Sequence, residues 1–206
     1  MRNMIRAAAV AGSVYAGVIQ AAPPPVVSNV TLAQPQSTRK AVVSYTADAP
    51  GVATFQFRTN GVDICRAETV RTVAGAINTY IPAGTHTFTW DAGLDIPEQV
   101  VPGLSVEVTL WATNNPPTYC TVPLDSAAPP LFYAKESEMP TGLDDECWKT
   151  NYLLLHKIPA TDGRFITLGS PLGELGRHTP QENLRQVRIT QPFYVGVYQV
   201  TQKQWQ

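Results

Sequence analysis

Short stretches of alternating apolar and polar residues dominate residues 26–122. Val30 and Leu32 alternate with polar neighbours, and Ala41-Val42-Val43-Ser44-Tyr45-Thr46 is a short run of strand formers. Side chains alternate along a strand, so Ala53, Phe55 and Phe57 fall on one face, with Thr54, Gln56 and Arg58 on the other. Asn60-Gly61 follows at once, the dipeptide best suited to a two-residue hairpin turn. His86-Thr87-Phe88-Thr89-Trp90 is another such run, ended by Asp91-Ala92-Gly93. Further on, Val106, Val108 and Leu110 alternate with Glu107, Thr109 and Trp111. No helical period intervenes. Runs this short and evenly spaced predict an antiparallel β-sandwich of about six or seven strands.

Residues 123–151 interrupt the pattern and predict a linker. They contain Ala127-Ala128-Pro129-Pro130 and Met139-Pro140-Thr141-Gly142. Asp144-Asp145-Glu146 has the composition of a metal cluster, but adjacent carboxylates on a loop do not converge on one ion, and the oxygen spacing of a calcium loop is missing. The run reads as solvated. Residues 152–158, an apolar strand, open a second unit. Asp162-Gly163 predicts a turn, residues 164–168 a return strand, residues 172–184 a loop, and residues 186–200 further strand. Thr201-Gln202-Lys203-Gln204 is a capping box, with Thr at the N-cap and Gln three residues on. A helix is expected to start there. The chain stops at Gln206, so residues 152–206 are expected to be the first piece of a larger domain.

The N-terminus changes the picture of location. Arg2 and Arg6 precede a mostly apolar run over residues 7–19, then Gln20-Ala21-Ala22 and three prolines. This is the layout of a secretory signal peptide over residues 1–21. The run is too short to span a bilayer, which takes about 20 apolar residues. Export to the periplasm or the cell exterior is therefore expected, with no transmembrane segment. The net charge is −1, from 15 basic and 16 acidic side chains. Without a basic stripe, nothing invites nucleic acid. Of the three cysteines, Cys65 and Cys120 both lie in the predicted sandwich and are the candidate disulfide pair; three separate thiols are the alternative, and Cys147 is left over either way. No two cysteines have zinc-site spacing.

Four blocks in residues 163–206 occur in an order that resembles the start of the formylglycine-generating enzyme, or sulfatase-modifying factor, family. The first is Gly163-Arg164-Phe165-Ile166-Thr167-Leu168-Gly169-Ser170, followed by Glu174, Gly176, Arg177 and Glu182. Then come Val187-x-Ile189-Thr190-x-Pro192-Phe193-Tyr194-Val195-Gly196 and Tyr198-Gln199-Val200-Thr201-Gln202-x-Gln204-Trp205. Departures are Leu168 for the family's Met, Asn183 where Pro often stands, and Gln199 for the usual Glu. Trp90-Asp91-Ala92-Gly93-x-Asp95 is similar to a corner in sandwich modules that precede such domains in exported proteins. The resemblance implies a mainly β chain: an immunoglobulin- or fibronectin-like sandwich followed by the start of a C-type-lectin-like α+β domain. It implies an oxidase that converts a sulfatase cysteine to formylglycine, using copper held by two cysteines farther along, with calcium as a second ion. The alternative is a non-catalytic lectin-like protein that binds another exported protein or a glycan.

No residue of this chain matches a catalytic, cofactor-binding or metal-binding position of the family. Arg177, Glu182, Tyr194 and Trp205 are expected to be scaffold, through loop pairing and core packing. His86, His156 and His178 share no ligand spacing. Ser126 and Ser170 lack a partnered base. Asn29-Val30-Thr31 is a glycosylation sequon only where the export route glycosylates. The leader is directly testable. Secretory expression is expected to yield a mature chain cut after Ala21, read by N-terminal sequencing; a secreted product that retains Met1 contradicts the assignment.

Overall fold

A computed structural model describes residues 24–35, 38–64, 69–178 and 180–205. The expected leader and Cys65 lie outside the described residues. No helix among the described residues is long and apolar enough to cross a membrane.

Residues 24–112 build two antiparallel sheets over one core. The first sheet runs β1 (Val27–Ala33), β2 (Lys40–Ala47), β7 (Gly84–Asp91), β5 (Val73–Gly75). The second is centred on β3 (Gly51–Thr59). Strand β8 (Leu104–Ala112) pairs with β3 along its whole length. The opposite edge of β3 is shared by β4 (Val62–Asp63) and β6 (Tyr80–Ile81), one at each end. The alternation seen in the sequence is what places the core. Ala41, Val43, Tyr45 and Ala47 of β2 point inward, and Ala53, Phe55 and Phe57 of β3 meet them. Phe57 lies 4.8 Å from the Trp90 ring and Phe55 lies 5.0 Å from Phe88, centre to centre. Burying each such ring contributes roughly 1.5–3 kcal/mol. Tyr45 shares the core and donates its hydroxyl to the carbonyl of Ala76; burial pushes its pKa up to about 12. Asn60 (φ 49°) and Gly61 (φ 81°) join β3 to β4 with the two left-handed residues that such a tight hairpin requires.

One end of the sandwich is locked by a single carboxylate. Short helix α1 (Ala92–Asp95) turns the chain so that Asp95 Oδ2 accepts from Trp90 Nε1 at 2.8 Å, from the backbone N–H of Arg71 at 2.6 Å and Thr72 at 2.9 Å, and from the Thr72 hydroxyl at 3.0 Å. Desolvation pushes the pKa of this group up, but the hydrogen-bond donors of Thr72, Arg71 and Trp90 outweigh it, and the carboxyl is held below its usual range.

Beyond Ala112 the structure departs from the sequence reading. Residues 119–122 were expected to end the sandwich. Instead β9 (Tyr119–Pro123) leaves it and pairs with β11 (Tyr152–Ile158) and β10 (Leu131–Tyr133). The ladder ends where β3 begins: Ala112 pairs with Gly51, which follows Pro50, so the chain beyond Ala112 has no further β3 residue to pair with. The resulting sheet runs β10-β9-β11-β14, with β14 (Phe193–Gly196) at its edge. The expected linker is folded. It carries β10 and two 3-10 turns, Glu136–Glu138 and Glu146–Lys149, and it packs Met139 and Trp148 with Tyr133 and Leu154 in a second core. Asp145 caps the second turn by accepting from the Cys147 N–H at 2.8 Å, and Glu146 pairs with Lys149 at 2.8 Å. The return strand also pairs elsewhere. The turn at Asp162-Gly163 forms, but β12 (Ile166–Leu168) pairs with β13 (Arg185–Val187) rather than with β11. The capping box is present as read. Thr201 Oγ1 accepts from the Gln204 N–H at 3.2 Å, and Gln204 Oε1 accepts from the Thr201 N–H at 3.0 Å, at the head of α2 (Gln202–Trp205).

Replacing Asp95 with Ala is expected to cost roughly 2–3 kcal/mol of sandwich stability, since it strips several donors of a charged partner. The carboxyl is depressed on folding, so its contribution is present above the ordinary Asp value of about 3.9 and is lost as pH falls through the lower folded value. Urea titrations between pH 7 and pH 2 check this: the gap between the native and Asp95→Ala chains should close at the acid end. A constant gap contradicts the role.

Candidate functional site

The residues singled out in the sequence fall into two places. The first is the loop after β12. Arg177 donates from Nε to the carbonyl of Ser170 at 3.0 Å and from Nη2 to Asn183 Oδ1 at 2.5 Å. The Ser170 hydroxyl donates to Glu174, and its N–H donates to the carbonyl of Glu182 at 2.8 Å. The Glu182 carboxylate in turn accepts from the His178 N–H at 3.1 Å. Gly169 (φ 110°) sits so close to Asn183 that an added Cβ would lie 2.5 Å from its carbonyl oxygen. Arg177 and Glu182 thus close a loop against itself, and the scaffold expectation for both agrees with these bonds. Asn183 supplies one of the acceptors.

The second place is the junction between the sandwich and the sheet that follows. Tyr194 of β14 donates its hydroxyl to the carbonyl of Pro117 at 2.5 Å, and its ring lies 6.3 Å from Phe132. Burial raises its pKa well above the ordinary tyrosine value, with nearby Cys120 adding to the shift. Tyr198 makes the matching bond to the carbonyl of Leu143 at 2.7 Å. Trp205 differs from expectation. It is 86% exposed and packs in no core of the described residues. Its helix is held instead by Gln204, whose side-chain N–H group reaches the carbonyls of Trp148 at 2.9 Å and Tyr152 at 2.7 Å.

Between these anchors lies a cleft of about 440 Å³. Val52, Phe132 and Tyr194 line it, and Tyr80 and Phe193 flank it with exposed rings. Lys157 enters from β11. Its ammonium donates to Asn115 Oδ1 at 3.0 Å and to the carbonyl of Pro116 at 2.5 Å, and it lies 5.6 Å from the Trp111 ring centre. Desolvation lowers its pKa below the ordinary lysine value. Sequence reasoning missed this cleft. Its residues come from six separate segments, and the signals were a lone Lys in an apolar strand and the Asn-Asn-Pro-Pro break before it.

The histidines do not converge. His86 bonds the carbonyl of Pro82 at 2.8 Å, and His156 meets the Tyr119 ring edge-on at 5.0 Å. No group of three or more metal-ligating side chains occurs among the described residues. Cys120 and Cys147 are free thiols, and Cys65, the other half of the candidate pair, lies outside the described residues. Burial pushes Cys120 up to about 11; burial, then the hydrogen bond with Asp145, push Cys147 up to about 12. No family model, curated protein or solved structure matches the chain.

The thiolate is the reactive form of cysteine. At pH 8 both thiols should therefore resist iodoacetamide in the native chain and label promptly in guanidinium, as read by peptide mapping. Rapid native labelling of Cys147 contradicts the assigned shift.

Proposed function

We propose that this chain is the front part of an exported protein of the formylglycine-generating type. An immunoglobulin- or fibronectin-like sandwich precedes the opening of a C-type-lectin-like domain. The reading rests on the four ordered blocks in residues 163–206. It is supported by the reciprocal capping box at Thr201 and Gln204 and by the self-closed loop of Ser170, Arg177, Glu182 and Asn183, since three of the blocks supply these bonds. The whole protein would oxidise a sulfatase cysteine to an aldehyde, with copper held by two cysteines that have no counterpart in this chain. Burial holds both free thiols protonated at neutral pH.

A second reading is a non-catalytic binding protein of the same fold. The observation that favours it is the cleft beside Tyr80 and Phe193, formed where the two units meet. Fold alone does not decide chemistry.

The test is incubation of a sulfatase-derived cysteine peptide with copper and two proteins: this chain, and the product of the full reading frame that contains it. Mass spectrometry is expected to find the aldehyde with the second and not with the first. Aldehyde formed by this chain alone contradicts the assignment of catalysis to other residues. No aldehyde with either, from folded and copper-loaded protein, overturns the oxidase reading in favour of the binding one.

A further inference from the structure

Asn29-Val30-Thr31 is the chain's only Asn-X-Ser/Thr triplet, and its middle residue is not Pro. Neither core uses it. It lies on β1, the edge strand of the first sheet, which pairs with β2 on one side. The ladder is irregular there. Ser28 lies opposite Thr46 and Thr31 opposite Ser44, so Asn29 and Val30 together face the single residue Tyr45. One extra residue in an edge strand is a bulge, and a bulge re-aims side chains out of the ladder. Asn29 takes left-handed backbone at this point, with φ 53°, a conformation that Asn adopts more readily than most residues other than Gly.

The two side chains that define the triplet are both exposed. The polar side chains on the neighbouring strands are paired with each other: Ser44 with Thr87 at 3.3 Å and Thr46 with Thr85 at 3.3 Å. The Asn29 amide and the Thr31 hydroxyl, by contrast, make no side-chain hydrogen bond among the described residues. A regular piece of strand would hold Asn29 extended, and strands disfavour Asn. Here the residue sits where a bulky hydrophilic group can be attached without displacing packed atoms. The surroundings suit such a group. Val26 is 56% exposed and Val30 is 39% exposed beside an open strand edge, and open edges are templates for pairing with other chains unless something blunts them.

We propose that Asn29 is the acceptor of an N-linked glycan that stands over the open edge of β1. This rests on the export proposed above, because the transfer acts on chains that cross a membrane. The donor is an oligosaccharide joined through pyrophosphate to a membrane lipid. Asn29 Nδ2 bonds to the anomeric carbon as the bond from that carbon to the pyrophosphate oxygen breaks. The nitrogen gives up one proton to a base of the transferase, and the lipid pyrophosphate leaves. The Thr31 hydroxyl is read by the transferase and is not itself modified.

The experiment secretes the intact chain from a eukaryotic host whose own exported proteins carry N-linked glycans. Two forms are compared: the chain with its own leader, and the chain with a host leader fused ahead of Met1. The second enters the secretory route whether or not residues 1–21 act as a leader, so failed export and failed glycosylation are read separately. Peptide mapping by mass spectrometry is expected to find a glycan on Asn29, released by a peptide amidase that leaves an aspartate in its place. Thr31→Ser keeps the hydroxyl and should keep the glycan, while Thr31→Val and Asn29→Asp should lose it. Asn29→Asp retains a residue type that tolerates left-handed backbone, so this variant should fold. Glycosylated and amidase-treated chains should share one thermal midpoint, since the attachment point is exposed. Glycan on the host-leader form alone would contradict the leader and uphold the acceptor. Unmodified Asn29 in the folded, secreted host-leader form, glycan retained by Thr31→Val, or a marked fall in the midpoint caused by the glycan would each overturn the proposal.

Discussion

Strand β3 is buried on both faces, and the placement of everything after the sandwich depends on that. Its inner face, Ala53, Phe55 and Phe57, fills the core. Its outer face, Val52, Thr54 and Gln56, is buried too, although the sequence marks two of those positions as polar. Buried polar groups need partners, and here they have them. Thr54 accepts from Trp111 Nε1 at 2.8 Å, and Gln56 donates to the carbonyls of Phe57 at 2.9 Å and Ile64 at 3.1 Å. Its polar side chains are thus satisfied within the sandwich. The following sheet attaches at the edge of β3, through backbone: the Asn78 N–H donates to the carbonyl of Ala53 at 2.6 Å, and the Asn78 carbonyl accepts from the Phe132 N–H at 2.7 Å.

That arrangement ranks the contacts between the two units. The ion pair from Asp63 to Lys135, at 3.2 Å, is exposed, and such pairs contribute about 0–1 kcal/mol. The carbonyls of Pro116 and Pro117 matter more. Placed at the exit from β8, they are acceptors for Lys157 and Tyr194, which approach from the two strands β11 and β14. The proline pair after β8 thus supplies fixed points for the next sheet.

Local pattern made much of the sandwich legible. Alternation in β3 and β8 assigns the core-facing residues because side-chain direction in a strand depends only on sequence parity. The Asn60-Gly61 turn and the Thr201-Gln204 cap were readable for the same reason: each is completed within four residues. The pairing of β9 with β11 was not legible, because it joins residues about thirty positions apart and both strands are too short to carry a distinctive pattern. Residues 123–151 misled by composition. Their prolines and acidic residues resemble a linker, while Met139 and Trp148, which hold the segment down, are single side chains with no period around them. The loop network was half legible, since Arg177 and Glu182 were singled out but their partners depend on a glycine turn. The cleft was not legible at all. Tyr80, Asn114, Phe132, Lys157 and Phe193 are brought together only by the fold.

The sandwich and the sheet beyond it are therefore one body joined through β3, with no free linker between them. Residue-resolved hydrogen exchange on the intact chain tests this most directly. The amides of Cys120, Thr121, Leu154 and Leu155 should be protected together with those of Ala53 and Phe55, because they open only when the junction opens. Protection confined to residues before Ala112, with fast exchange throughout residues 119–158, would contradict it.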